Sequence, residues 1–196
     1  MPLRWLNGTG RNSKYRRSKL AEAEAAGILG GRRVPGSGAI RRSAGQTETV
    51  GADLQVATYT ANAVGAEALR LHAEHKRTAA PVLRVQREWF RKIHLSARNT
   101  AAPPAVVLRF ETLEGPFREW VGLTVRAMSV EGPSYEVAKE LVMPGASLGV
   151  VAAEVDSWGR SGKQGVAPAF TLTFTDADFP GRWVFVPIGM FRVAER

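Results

Sequence analysis

The sequence predicts an α/β (α+β) protein, built on a central mixed β-sheet flanked by helices and carrying an additional β-rich C-terminal region. Three observations predict it. Two runs alternate apolar and polar residues at the period of a strand and are separated by a turn-like "ANAVGA"; an amphipathic segment and a β-branched run follow; and most of the chain after Gly115 reads as short strands between Gly- and Pro-rich turns.

The elements follow in order. Residues 1–17 are basic and poorly periodic, so they are expected to form a flexible arm. From Ser18, a candidate cap, "SKLAEAEAAGILGG" combines strong helix formers with Leu20, Ala21, Ala25, Ile28 and Leu29 at helical spacing and stops at Gly30-Gly31. A loop is expected over "RRVPGSGAIRRSAGQTETVGA", where Gly and Pro oppose regular structure while Arg32, Arg33, Arg41 and Arg42 supply charge. "ADLQVATYT" and "EALRLHAEHKRT" make a hairpin. "LRVQREWFRKIHLSARN" sets Val85, Trp89, Ile93 and Ala97 four residues apart and predicts one helix, and the apolar "AVVLRFETL" an interior strand. Beyond it, "REWVGLTVRAMSV", "LGVVAAEVDSW", "AFTLTFTD" and "RWVFVPIGMFRV" are read as strands, and "SYEVAKELV" as the one helical candidate. "WGRSGKQG" is read as a plain turn at a hairpin tip. The organisation expected is an arm over 1–17, a core over 18–113, a β-rich insertion or extension over 114–181 and a closing strand over 182–196, in one domain overall.

Composition narrows the chemistry. A formal charge of +9 and a pI near 10.6 point to a polyanionic partner, with nucleic acid leading, because Lys and Arg that meet phosphates release counterions. With no cysteine and only His72, His75 and His94, thiolate chemistry is excluded and a histidine-rich zinc site is disfavoured, so a metal would be a hard cation on carboxylates. No run approaches the roughly 18 apolar residues of a membrane span, and none near the start has the pattern of a signal peptide. A soluble, cytoplasmic protein is expected.

Within the hairpin, alternation sets Leu69, Leu71 and Ala73 on one face and Arg70, His72, Glu74 and Lys76 on the other. Asp53 opens the first strand. In a hairpin the start of one strand lies beside the end of the next, and period two leaves Asp53 and Gln55 on the ionic face, so two carboxylates and a lysine converge. Such a set suits phosphodiester hydrolysis: clustered carboxylates bind Mg2+, and a nearby lysine orients water or stabilises developing charge.

The order Asp53, then Glu74-x-Lys76 on the next strand, resembles the PD-(D/E)XK nuclease superfamily, although Ala52 stands where the leading proline would be. The wider pattern "GGRRVPGSGA", "ADLQV", "AEHKRT", an amphipathic helix and "PAVVLRF" resembles the archaeal-type Holliday junction resolvases and their phage and bacterial relatives over about residues 14–112. The resemblance implies a restriction-endonuclease-like fold. It makes Asp53 and Glu74 metal ligands, Lys76 the catalytic lysine and Ser37 the loop serine near the scissile phosphate. It adds a helix glutamate that is both ligand and catalytic residue, Glu22 or in its place Glu24. Gln86 falls where relatives carry a polar residue close to the site, and His72 shares the ionic face. The implied cofactor is Mg2+, with Mn2+ able to substitute; the implied partner is branched DNA, a four-way junction cut by a homodimer. Arg16, Arg17, Arg32, Arg33, Arg41 and Arg42 are the expected DNA contacts. A nuclease of the same fold acting on linear or damaged duplex is the nearer alternative, and a non-catalytic DNA-binding protein the more distant one.

Overall fold

The computed structural model describes residues 11–30, 32–33, 40–41, 47–48, 54–57, 70–98, 102–113, 118–159, 164–175 and 178–191. Helix α1 (Arg11–Ile28) begins seven residues before the expected cap, 18 − 11 = 7. Residues 11–17 are therefore helical and not a flexible arm, and Ser18 is an interior residue whose Oγ points to Glu22 Oε1 at 3.4 Å. The helix spends its strong formers at the C-terminal end and extends backward through the basic run at little further cost, because propagation adds one bond per residue once a nucleus exists. It stops as predicted: Gly30 takes φ 70°, a left-handed conformation that glycine adopts without a side-chain clash.

The loop that follows holds two-residue strands, another departure from expectation: β1 (Arg32–Arg33), β2 (Ile40–Arg41) and β3 (Thr47–Glu48). Strands β2 and β3 pair with each other, and β1 pairs with β4 (Leu54–Ala57). The expected hairpin is present. Strand β4 runs antiparallel to β5 (Arg70–Thr78) with Leu54 opposite Ala73 and Gln55 opposite His72.

The next segment corrects the sequence reading. Residues before Arg87 are a strand, β6 (Val82–Gln86), and the helix α2 is Arg87–Ala97. Val85 thus fits the helical spacing of Trp89 and Ile93 without being helical; it is buried because β6 pairs with β10 (Ser147–Val151), Val85 facing Leu148. Strand β7 (Pro104–Phe110) is the interior strand expected, buried from Ala105 onward and parallel to β5.

Three further elements differ from expectation. Strand β8 (Glu119–Thr124) ends in helix α3 (Val125–Glu131), whose first turn is capped by Thr124 Oγ1 accepting from the Ala127 amide at 3.2 Å. "SYEVAKELV" is strand β9 (Tyr135–Met143), because parallel pairing with β11 (Ala167–Phe174) outweighs the helix propensity of its Ala, Glu, Lys and Leu. Strand β10 gives way to helix α4 (Ala152–Trp158), which buries Ala152, Val155 and Trp158 at helical spacing. Strand β12 (Arg182–Pro187) passes into a 3-10 turn, Ile188–Phe191.

One mixed sheet of eight strands runs in the order β1-β4-β5-β7-β8-β12-β11-β9. Its faces bury separate cores. On one side α2, α4 and the β6–β10 ribbon cover Val106, Leu108, Phe110, Trp120, Phe170 and Phe185; on the other α1, α3 and the 3-10 turn cover Leu71, Ala73, Val107, Val121 and Val184. The chain is thus mixed α and β, a largely open sheet between helical layers, with no helix among the described residues long and apolar enough to cross a membrane.

Candidate active site

Alternation along β5 sends Leu71, Ala73, His75 and Arg77 toward α1 and His72, Glu74, Lys76 and Thr78 toward α2. Contacts bear out the α2 side: His72 Nε2 and Ser96 Oγ share a short hydrogen bond, and the Lys76 ammonium lies over the Trp89 ring, 5.3 Å from its centroid. Glu74 is the acidic centre of this face. It is only 6% exposed, and Lys76 Nζ donates to its Oε1, with the lysine side chain keeping 26% of its surface in contact with solvent.

A buried carboxylate is costly unless its charge is answered. Here a lysine two residues along the same strand answers it from the solvent side, where the ammonium keeps part of its hydration. His72 is a different case. Burial holds its imidazole below the ordinary histidine range, so the ring is favoured as a neutral partner for Ser96, and its Nδ1 meets no partner among the described residues.

The opposite face carries charge as well, in a network centred on Arg109. Arg109 of β7 donates from Nη1 to Glu24 Oε2 at 2.6 Å and to Glu119 Oε1 at 3.0 Å, and His75 Nε2 stands 3.8 Å from the same Glu119 oxygen. Burial works against the Arg109 cation, but the two carboxylates more than offset it and raise its pKa above the usual arginine value.

The predicted residues therefore fall into groups. Glu74 and Lys76 are brought together. Glu22 is 3% exposed, receives Lys19 Nζ at 2.9 Å, and belongs to the helix that packs on the sheet face opposite the one Glu74 uses. Glu24, the alternative, is half exposed and committed to Arg109. Gln86 is exposed at the end of β6 and is the N-cap residue of α2, its side chain making no capping hydrogen bond. Arg16 and Arg17 are exposed on α1; Arg32 and Arg33 lie in β1 and Arg41 in β2. Ser37, Arg42 and Asp53 lie outside the described residues.

Sequence reasoning missed Trp89, Ser96 and the Arg109 network. The first two carried a signal: they are seven residues apart on an amphipathic helix, two turns along one side, and that helix follows closely on the strand bearing Glu74 and Lys76. Arg109 sat in an apolar run and offered no such signal. Comparison of the chain with family models, with curated proteins and with solved structures finds no match.

Proposed function

We propose that the protein is a Mg2+-dependent, structure-selective DNA endonuclease that resolves four-way junctions. One observation carries this reading: the antiparallel register of β4 and β5, with Gln55 opposite His72 and Leu54 opposite Ala73. That register sets Gln55 beside His72, on the sheet face that also holds Glu74 and Lys76, which is the face on which the resolvase pattern expects Asp53. The order of elements supports it too, since helix α1, the arginine-bearing loop, the hairpin, α2 and the parallel strand β7 follow the order of the resolvase pattern.

Among the described residues no three potential ligands cluster; of the carboxylates named from the sequence, Glu74 and Glu22 are described and stand on opposite faces of the sheet. The donor chemistry fits a hard cation: carboxylate oxygens from Glu74, with Asp53 as its proposed partner, while His72 is engaged by Ser96 and Glu22 lies on the opposite face of the sheet. Mg2+ bound there would neutralise the scissile phosphate and lower the pKa of an attacking water, and Mn2+ would substitute. Lys76 supplies a partly hydrated ammonium beside the carboxylate, suited to orienting that water or to stabilising charge on the phosphate.

A four-way junction has two-fold character, so paired nicks are most simply made by a homodimer. Arg16 and Arg17, exposed on α1, with Arg32, Arg33, Arg41 and Arg42, would hold backbone phosphates and select branched geometry by shape. Neutralising the last four is expected to flatten the salt dependence of junction binding by about 0.9 in logarithmic slope for each phosphate that an arginine no longer neutralises. The deciding experiment incubates the protein with a synthetic junction and a matched linear duplex, each with and without Mg2+. Cutting of the junction alone, and only with metal, is expected; equal cutting of both substrates would replace the resolvase by a general nuclease, and no cutting of either would remove the enzyme.

A further inference from the structure

We propose that Trp89 is a positioning residue that holds the Lys76 ammonium beside Glu74; the catalytic use of that placement rests on the nuclease reading above. A lysine side chain has four flexible methylene groups, and ordering it costs rotamer freedom that a single contact at its tip hardly offsets. Two restraints act on Lys76. Its Nζ donates to Glu74 Oε1, and the same ammonium lies over the indole of Trp89, 5.3 Å from the ring centroid. The indole is itself fixed, being half-buried and packed against the core under α2 that includes Phe90 and Ile93.

The restraints differ in kind. Glu74 holds the lysine by net charge, and that hold weakens whenever its carboxylate answers another cation. The face of an indole attracts a cation through its quadrupole, which no competing ion at Glu74 removes. Trp89 therefore keeps the ammonium in place at the moment when the carboxylate releases it.

Helix α2 is anchored to deliver this ring accurately. Ser96 is bound to His72 and Trp89 lies against Lys76, so the helix runs back along the strand and meets it at two points. Seven helical residues span about 10.5 Å, and four strand residues span about 13 Å, a match close enough for both contacts to form together.

The test uses the full chain and two readouts. Lysines are reductively methylated with a 13C label, which preserves their charge, and the Lys76 signal is assigned by its loss in Lys76→Arg. In metal-free protein the wild-type signal should show an upfield ring-current shift, absent in Trp89→Leu and Trp89→Met and partly restored in Trp89→Phe. In junction cleavage with Mg2+, by unmodified protein, Trp89→Leu and Trp89→Met should lower kcat about fivefold and leave junction binding within about twofold, with Trp89→Phe recovering part of the rate. Denaturant unfolding of each variant separates lost positioning from lost folding, and Trp89→Phe retains a packed ring if the aliphatic variants unfold. A wild-type Lys76 signal with no ring-current shift overturns the proposal, as does an unchanged kcat in folded variants that have lost the shift. If wild-type protein cuts no junction, the nuclease reading fails and the catalytic use with it, while the shift still decides whether Trp89 holds the lysine.

Discussion

Strands β5 and β7 turn charge toward both helical layers, and the two sides treat it differently. On the α1 side Arg109 pairs with both Glu24 and Glu119, His75 stands 3.8 Å from Glu119, and Glu119 is 1% exposed. On the α2 side Glu74 is nearly as buried, but the lysine that answers it stays partly in solvent and lies over an indole. The first arrangement has the character of a clamp, joining α1 to the sheet through a cation that cannot be deprotonated. The second leaves a carboxylate and an ammonium whose partners can be exchanged. Accessibility alone does not separate the two faces, since Glu24 is itself exposed; what separates them is that Arg109 is shared between two carboxylates, whereas Lys76 is shared between a carboxylate and an indole.

The largest expected effect separates the faces. Glu74→Gln should reduce Mg2+-dependent junction cleavage about 1,000-fold, the upper end for removal of one electrostatic group. Junction affinity in metal-free buffer should not fall, because the removed charge repels phosphate. A variant cutting near the wild-type rate would end the assignment of this face.

Next in size is Arg109→Met, expected to destabilise the protein by about 3 kcal/mol in urea unfolding, because it strands the Glu119 carboxylate in the interior. Unchanged stability would mean that the clamp holds nothing.

The two helix glutamates sharpen the contrast. Glu24→Gln weakens one half-exposed pair and should cost about 1 kcal/mol of stability with little change in cleavage rate. Glu22→Gln, buried beside Lys19 on the face opposite Glu74, should likewise leave the cleavage rate close to wild type; a large loss of rate in a folded variant would bring α1 into the site.

The smallest effect is on pH. His94 is held below the ordinary histidine value of 6.5 by burial and by Arg98, with Asp178 partly opposing, and His72 is lowered by burial. Well above 6.5 both rings are neutral in folded and unfolded chains, and the stability they contribute is full. As pH falls through that value the unfolded chain takes up protons first, and stability declines until the lower folded values are reached. Each ring can contribute at most about 1.4 kcal/mol per pH unit over that window. Unfolding curves at pH 7.5 and 5.5 should show a smaller loss for His94→Gln than for wild type, and an equal loss would contradict the shift.

The sequence was most readable where one period persists within one environment. Leu71 and Ala73 alternate with His72 and Glu74, and Val106 to Leu108 are uniformly apolar, so β5 and β7 are legible, as is the hairpin register. Misreadings cluster where an element changes type in mid-run. Val85 continues the helical spacing of Trp89 across a strand–helix junction, and its burial depends on Leu148, far along the chain. Val121 to Val125 is largely apolar through a similar junction, where Thr124, a good N-cap residue type, was the available signal. In β9 the residues prefer helix, and only a partner strand beyond α4 overrides them. The Glu74–Lys76 pair was visible because it lies within one strand; the clamp was not, because Glu24, Arg109 and Glu119 come from three separate elements.

The place of β12 in the sheet bears on how the chain is made. Strands β9 and β11 join the rest of the sheet only through β12, which lies between β11 and β8 although it follows both in sequence. During synthesis, β8 waits with an unpaired edge while some 60 residues are added (182 − 124 = 58 separate the facing ends). Contacts this distant close slowly and leave apolar surface open to other chains in the meantime. The first strands and α2 can dock on the ribosome, whereas the aromatic layer around Phe170 and Phe185 forms only when β12 has left the exit tunnel.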